Sequence, residues 1–328
     1  MTTPSTRKRD IRKSLKYGMI KDGSTVLEKF HGAKAAGFEG VEIDSPSDLD
    51  LDEVKAAMGE TGLVVPGVVD SAHWEQCLSD PDLAVQAKGL AALEGALHDA
   101  KAVGATTVLL VPGFVNNNVS YGEVWIRSQE EIRKVIPICK GLDVKIAIEN
   151  VWNGFLMGPH EAARYIDEIN SPYVGFYFDV GNIVRYARPA TCIEVLGPRI
   201  MKLDVKEYSL NRMQEEDVWK GFDVEIGDGN CDWPAVGAAL DNIGYSGWAS
   251  AEVEGGDAAP TQRHRQQDGT ITPGLNGQDK TMPNELTNDV KRRRSEQTSA
   301  TGTMLSISSL ALGRSAHVQG RQVVHRGS

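Results

Sequence analysis

At 328 residues with a formal net charge of −10, the chain lacks the basic excess a general nucleic-acid binder needs to neutralise phosphates, although a local site can oppose the global sign. No stretch approaches the roughly 20 consecutive apolar residues of a membrane span, and the basic N-terminus MTTPSTRKRDIRKSLKYG has no apolar run behind it, so a secretory signal is not expected. The four cysteines (Cys77, Cys139, Cys192 and Cys231) show no CxxC spacing, which disfavours a disulfide framework or a cysteine zinc site and fits a reducing cytoplasm.

Residues 1–15 read as a flexible N-terminal segment. From there to about residue 254, short apolar runs alternate with longer amphipathic ones. The first strand is expected at 16–20 (KYGMI), with a helix over 24–36. Strands at 39–44 (EGVEID), 63–69 (LVVPGVV) and 106–111 (TTVLLV) lead into helices over 50–61, 81–103 and 121–140. Strands at 144–149 (VKIAIE), 173–179 (YVGFYFD) and 200–205 (IMKLDV) lead into helices over 159–170, 189–197 and 232–243, and a last strand falls at 247–252 (GWASAE). Pro81 (after Ser79 and Asp80), Pro159 and Pro234 mark helix starts, and Gly37, Gly62, Gly104 and Gly244 mark helix ends.

Eight strands alternating with helices predict a parallel sheet with covered faces, and eight is the number that closes a (β/α)8 TIM barrel over 16–254. The rival, an open doubly wound sheet, usually carries a glycine-rich turn after its first strand, and GMIKDG does not fit GxGxxG. After Gly255 the character changes. Residues 255–328 contain no aromatic residue or cysteine, and only TMLSISSLALG at 303–313 is apolar. This composition predicts disorder. It also leaves the eighth helix missing, either because the tail is simply disordered or because out-of-frame sequence has replaced the natural helix. KRRR at 291–294 reads as a solvated charge run.

Chemistry in such a barrel sits at the C-terminal ends of the strands, where side chains alternate between faces. Ile146 and Ile148 face the outer helices, which turns Glu149 inward. By the same alternation Tyr177 and Asp179, then Lys202, Asp204 and Lys206, then Ser250, Glu252 and Glu254, and on the second strand Glu42 and Asp44, point inward. Four consecutive strands thus each present one carboxylate at similar height. Crowded carboxylates repel and are costly to desolvate unless neutralised. A divalent cation held by Glu149, Asp179, Asp204 and Glu252 explains them economically, and all-oxygen ligands favour Mn²⁺ or Mg²⁺ over structural zinc. The alternative is pairing with inward Lys202 and Lys206. A metal bridging a carbonyl and a neighbouring hydroxyl stabilises an enediolate, with Glu149 and Glu252 as the candidate base and acid. Transfer across two faces gives epimerisation, and transfer between adjacent carbons on one face gives aldose–ketose isomerisation.

The strand ends resemble the xylose isomerase-like TIM-barrel superfamily, in its sugar phosphate isomerase/epimerase branch. The likeness spans about 16–256 and rests on GAKAAGFEGVEI (32–43), IEN (148–150), NSPYVGFYFDVGN (170–182), VKEY (205–208), GDGNCDWPAV (227–236) and GYSGWASAE (244–252). It implies a divalent metal (Mn²⁺ first, with Mg²⁺, Co²⁺ or Zn²⁺ as alternatives) and carries the ligand roles over to Glu149, Asp179 and Glu252. Asp204 falls where the family has a histidine, which makes the site more anionic. Asn182 stands in place of another family histidine and could bind a substrate hydroxyl. The resemblance further implies substrate roles for Lys206, His73, Glu42 and Trp152, a small sugar or sugar phosphate as partner, and a possible homodimer. Lys206, Arg185 and Arg212 are the candidate phosphate partners, while His31, His98 and His160 read as structural or solvent-facing. The superfamily's apurinic endonucleases need a histidine-rich multinuclear site that is lacking here. Two alternatives remain open: an inosose- or polyol-type dehydratase on the same residues, and a non-catalytic sugar-binding protein.

Overall fold

Eight parallel strands pair in chain order and close on themselves in the computed structural model, which describes residues 10–253. They are β1 (Ile11–Lys16), β2 (Gly40–Ser45), β3 (Gly67–Asp70), β4 (Thr107–Leu110), β5 (Lys145–Glu149), β6 (Val174–Asp179), β7 (Ile200–Val205) and β8 (Gly247–Ala251). Closure comes from β1 on β8, with Ser14 opposite Ser250 and Leu15 opposite Ala251. The architecture is the TIM barrel expected from the alternation of elements.

The connecting helices are α1 (Val26–Ala35), α2 (Leu51–Thr61), α3 (Leu83–Val103), α4 (Tyr121–Leu142), α5 (Pro159–Ile169), α6 (Val180–Val184), α7 (Pro189–Leu196), α8 (Leu210–Glu215) and α9 (Trp233–Ile243). Their starts follow from local chemistry. Thr25 with Glu28 and Ser120 with Glu123 form capping boxes, and Asp50, Asp82 and Asp232 accept from the first free amides of α2, α3 and α9. The Asp82 cap delays α3 past the expected Pro81. The short α6 and α8 follow the ends of β6 and β7 and were not foreseen, since neither is long enough to show a hydrophobic period.

One strand lies elsewhere than expected. β1 occupies Ile11–Lys16, and the run read as that strand instead forms a 3-10 turn at Tyr17–Met19. The apolar letters of KYGMI drew attention from a strand whose only apolar members are Ile11 and Leu15, alternating with Arg12, Ser14 and Lys16. The segment expected to be flexible therefore supplies a barrel strand from residue 11 onward; residues 1–9 lie outside the described residues, as does the tail expected to be disordered over 255–328.

Apolar residues segregate by face. Ile146, Ile148, Phe176, Phe178, Leu203 and Val205 belong to the large cluster shared with the helices, whereas the barrel interior holds a small cluster of Leu109, Ala147 and Tyr177 flanked by Val69. The helices pack in order around the barrel, with α1 on α2, α3 on α4, α5 on α7 and α7 on α9. No helix follows β8 among the described residues. Val41 and Ile43 on the outer face of β2 are fully buried, while Ile11 and Leu15 on β1 are partly exposed. No helix among the described residues is long and apolar enough to cross a membrane.

Across the middle of the barrel, Lys202 pairs with Glu42, which also accepts a 2.8 Å hydrogen bond from the Tyr177 hydroxyl. Burial works against the Glu42 charge, and the Lys202 ammonium overcomes it, holding the carboxyl below its usual range. Gly67 makes room for this crossing, because a β-carbon there would strike Lys202 Nζ, Glu42 and Thr107. Gly67→Ala is expected to destabilise the fold by about 1–3 kcal/mol in urea unfolding, as overpacking does. Gly95→Ala, exposed inside α3 with open space where the β-carbon would go, should instead stabilise by about 0.5–1 kcal/mol.

Candidate active site

The C-terminal ends of β5, β6 and β7 and the residue just beyond β8 bring Glu149, Asp179, Asp204 and Glu252 together. Each offers an oxygen within 4.8 Å of the others. Alternation along each strand sets this up, since the residues beside them (Ile148, Phe178 and Leu203) are claimed by the outer helices. The β6–β7 register places Asp179 directly opposite Asp204. All four residues named as metal ligands from sequence thus meet at one point.

Asp179 is held by its own strand end. Its Oδ1 accepts from the Asn182 amide at 2.7 Å as the cap of α6, and its backbone exchanges two hydrogen bonds with the Asn150 side chain at 2.8 and 2.9 Å. Asp179 Oδ2 is left facing the cluster, where Lys206 Nζ lies 3.0 Å away. Lys206 also reaches Glu252 Oε2 at 3.0 Å. The second cation is Lys16, whose Nζ lies 2.5 Å from Asp204 Oδ2 and 3.0 Å from Glu252 Oε2. Sequence reasoning missed Lys16, because the strand carrying it was placed too late in the chain; the Ser14/Lys16 alternation was the available signal. Lys202 does not join the cluster but pairs with Glu42. Among the described residues Asp204 Oδ1 is buried without a hydrogen-bond partner, and Glu149 makes no ion pair of its own.

These contacts push the four acids apart. Burial, reinforced by the charges of Glu252 and Asp179, raises Glu149 to about 8. Burial likewise raises Asp179, and it raises Asp204 well above the usual carboxylate range. Burial acts on Glu252 in the same sense, but Lys16 and Lys206 outweigh it and hold that carboxyl low. The ammonium of Lys16 is disfavoured by burial, yet the charges of Asp204, Glu252 and Glu149 hold it well above its ordinary value.

The other residues named from sequence are placed as follows. His73 sits just after β3, with Nδ1 accepting from the Val111 amide at 3.4 Å and Nε2 buried without a partner among the described residues. Burial, aided by the Lys16 charge, lowers it to about 3, so the ring is neutral. Trp152 Nε1 donates to the Asn182 carbonyl at 2.9 Å, and the Asn182 side chain donates to the Asn150 carbonyl at 2.9 Å, so both are engaged in bracing the β5 and β6 loops. Glu42 lies in the barrel interior, bound to Lys202 and Tyr177. Glu207, not singled out from sequence, gathers the β7–α9 connection: its carboxylate accepts from the amides of Gly227 at 2.8 Å and Cys231 at 3.0 Å and from Trp233 Nε1 at 2.7 Å. The motif GDGNCDW is the wrapping of that carboxylate.

A pH dependence follows. Glu149 and Asp70, raised by burial to about 8 and about 7, bind protons in the folded state that the unfolded chain has released, so the cation-free protein loses stability as pH rises toward 8; Asp179 and Asp204 are raised in the same direction. His73, held low, acts oppositely but only below its unfolded value of 6.5. Between about pH 6.5 and 8, Tm measured in EDTA is therefore expected to fall, and Glu149→Gln is expected to flatten the slope.

With this geometry in view, known proteins supply the context. Residues 30–269 match the family model described as xylose isomerase-like TIM barrel. An L-ribulose-5-phosphate 3-epimerase of Salmonella paratyphi C (strain RKS4594) is 26% identical over 237 residues, covering 69% of this chain and 81% of that protein. Among solved structures, a D-tagatose 3-epimerase-like protein shares the fold with a TM-score of 0.69 at 16% identity, covering 81% of this chain and 99% of that one. The apo form of a 3-keto-D-glucoside 4-epimerase from E. coli does so with a TM-score of 0.67 at 18% identity, covering 80% of this chain and 98% of that one. The chain belongs to the xylose isomerase-like TIM-barrel family, as an enzyme of its sugar isomerase/epimerase branch.

Proposed function

We propose that the chain is a divalent-cation-dependent isomerase or epimerase of a small sugar, moving a proton at the carbon beside a carbonyl. The observation that carries the reading is the meeting of Glu149, Asp179, Asp204 and Glu252. Their chemistry fits a hard cation. All donors are carboxylate oxygens, and Asp204 Oδ1 is buried with no hydrogen-bond partner. With all four carboxylates ionised, as a bound cation would require, Lys16 and Lys206 would offset two of the negative charges and leave a deficit equal to one divalent ion. Mn²⁺ is the first candidate and Mg²⁺ the second. Held by Glu149, Asp179, Asp204 and Glu252, such a cation would polarise a substrate carbonyl and steady the charge developing on it.

The chain's own residues do the rest. β5 and β8 stand three strand positions apart in an eight-membered ring, and on this reading Glu149 and Glu252 act on a bound sugar from different sides. One takes the proton from the carbon and the other returns it to the opposite face, which inverts the centre. Lys16 and Lys206 keep Glu252 ionised. His73 offers its Nε2–H, without an acceptor among the described residues, to a substrate hydroxyl. Trp152 presents ring rather than indole N–H, because that N–H is already bound.

A second reading has a specific observation in its favour: the two ammonium groups already contact three of the four carboxylates, as they would in a sugar-binding protein without turnover. The two readings separate on thermal unfolding with and without Mn²⁺, followed by solvent-deuterium exchange into a ketose panel. A cation that binds only the folded state at 100 times its Kd raises stability by about 2.7 kcal/mol. We expect Mn²⁺ to raise Tm in the wild type and not in Asp179→Asn, and deuterium to enter the sugar only with both Glu149 and Glu252 present. A Tm indifferent to Mn²⁺, Mg²⁺ and Co²⁺ together with no exchange would establish the binding protein instead.

A further inference from the structure

The rim above β5 to β7 carries an aromatic group that the proton transfer does not use. Trp152 packs against Tyr208, Trp219 and Phe222 with ring centroids 5.2, 5.1 and 4.9 Å away. Tyr208 is fully buried and its hydroxyl donates to the Val218 carbonyl at 2.7 Å, which fixes the backbone next to Trp219. Trp219 is 64% exposed, so a large indole lies open to solvent on a firm backing of other rings. Single exposed apolar side chains need no explanation, but one built onto an ordered cluster beside a polar site does. The cluster adjoins the carboxylates: Lys206 Nζ lies 5.5 Å from the Phe222 ring and 3.0 Å from both Asp179 and Glu252.

Charge on the same rim disfavours an anionic group. Lys16 and Lys206 are held by the carboxylates. Arg212 is bound to Glu216 and to the Asp223 carbonyl, Lys220 is paired with Asp223, and Arg185 lies over the Trp152 ring at 4.9 Å. A phosphate would find few unclaimed cations there and would meet the field of the acids around it. An uncharged ring meets neither obstacle, since the C–H face of a sugar packs on an indole much as other apolar faces do.

We infer that Trp219, seated on Trp152 and Phe222, is a stacking platform for a second, uncharged ring of the substrate, so that the site takes a neutral glycoside in preference to a sugar phosphate. This rests on the isomerase/epimerase reading above. The test is calorimetric titration of the full chain, with Mn²⁺ present, using D-fructose, D-fructose 6-phosphate, and the 4-O- and 6-O-glucosyl fructoses maltulose and isomaltulose. At least one glucosyl fructose is expected to bind roughly tenfold tighter than fructose and its phosphate, the size of one good aromatic contact. Trp219→Ala should abolish that advantage and Trp219→Phe should keep most of it. The inference is overturned if the phosphate binds most tightly, or if Trp219→Ala leaves the order of affinities unchanged. If none of the four binds and none takes up solvent deuterium, the ketose reading itself fails and takes the platform with it; if fructose binds and exchanges without any gain from the second ring, only the platform fails.

Discussion

Four carboxylates drawn out of water at the mouth of one barrel set the terms for everything around them. Each strand end delivers its acid because the neighbouring side chains are owned by the helix layer, so the geometry comes at no local choice. The electrostatic consequence has to be answered at once, since like charges at this distance inside protein repel strongly. Lys16 and Lys206 answer half of it, each bridging two acids and sharing Glu252. The four oxygens left around that point could hold a cation. Asp204 sharpens the case. Where the family resemblance places a histidine, this chain has the acid Asp204, and the Lys16 ammonium lies 2.5 Å from it. The added acid is matched by a cation supplied from the first strand of the barrel.

Below this layer the barrel solves a different problem. Lys202, Glu42 and Tyr177 place polar groups in the interior of a parallel barrel, a location that tolerates them only when they satisfy one another. The arrangement explains why inward-facing charges in this sequence divide into two kinds. Those at the strand ends converge on a common point, and those one step earlier pair across the interior. From sequence both kinds look the same, as charged letters alternating with apolar ones.

That distinction marks where legibility stopped. The fold was readable because seven of its strands are apolar runs of the right length, bounded by capping residues and C-terminal glycines such as Gly62, Gly104 and Gly244. The metal-ligand candidates were readable because strand alternation is a strict period of two. β1 escaped because two apolar residues among charged ones give a weak signal, and Lys16 escaped with it. The pairing of Lys202 with Glu42 instead of the cluster depends on register across the barrel, a long-range relation that no local pattern encodes. Asn182 and Trp152 were legible as residues near the site, but their engagement with Asn150 and with each other follows from loop geometry alone. Glu207 looked like one more acid in VKEY; its role appears only when the following loop folds back over it.

Glu207 has a consequence for how this site could diversify. The segment between it and α9 is pinned at both ends: Ser209 N–H donates to the Gly221 carbonyl at 2.7 Å, and the amides of Gly227 and Cys231 are tied to the Glu207 carboxylate. What hangs between those posts, including α8 and Trp219, contributes none of the four clustered carboxylates. It behaves as an exchangeable cassette. Lineages could lengthen, shorten or rewrite residues 210–226 while the four clustered carboxylates stayed in register, so that the cluster and the loop beside it evolve on separate stretches of the same chain.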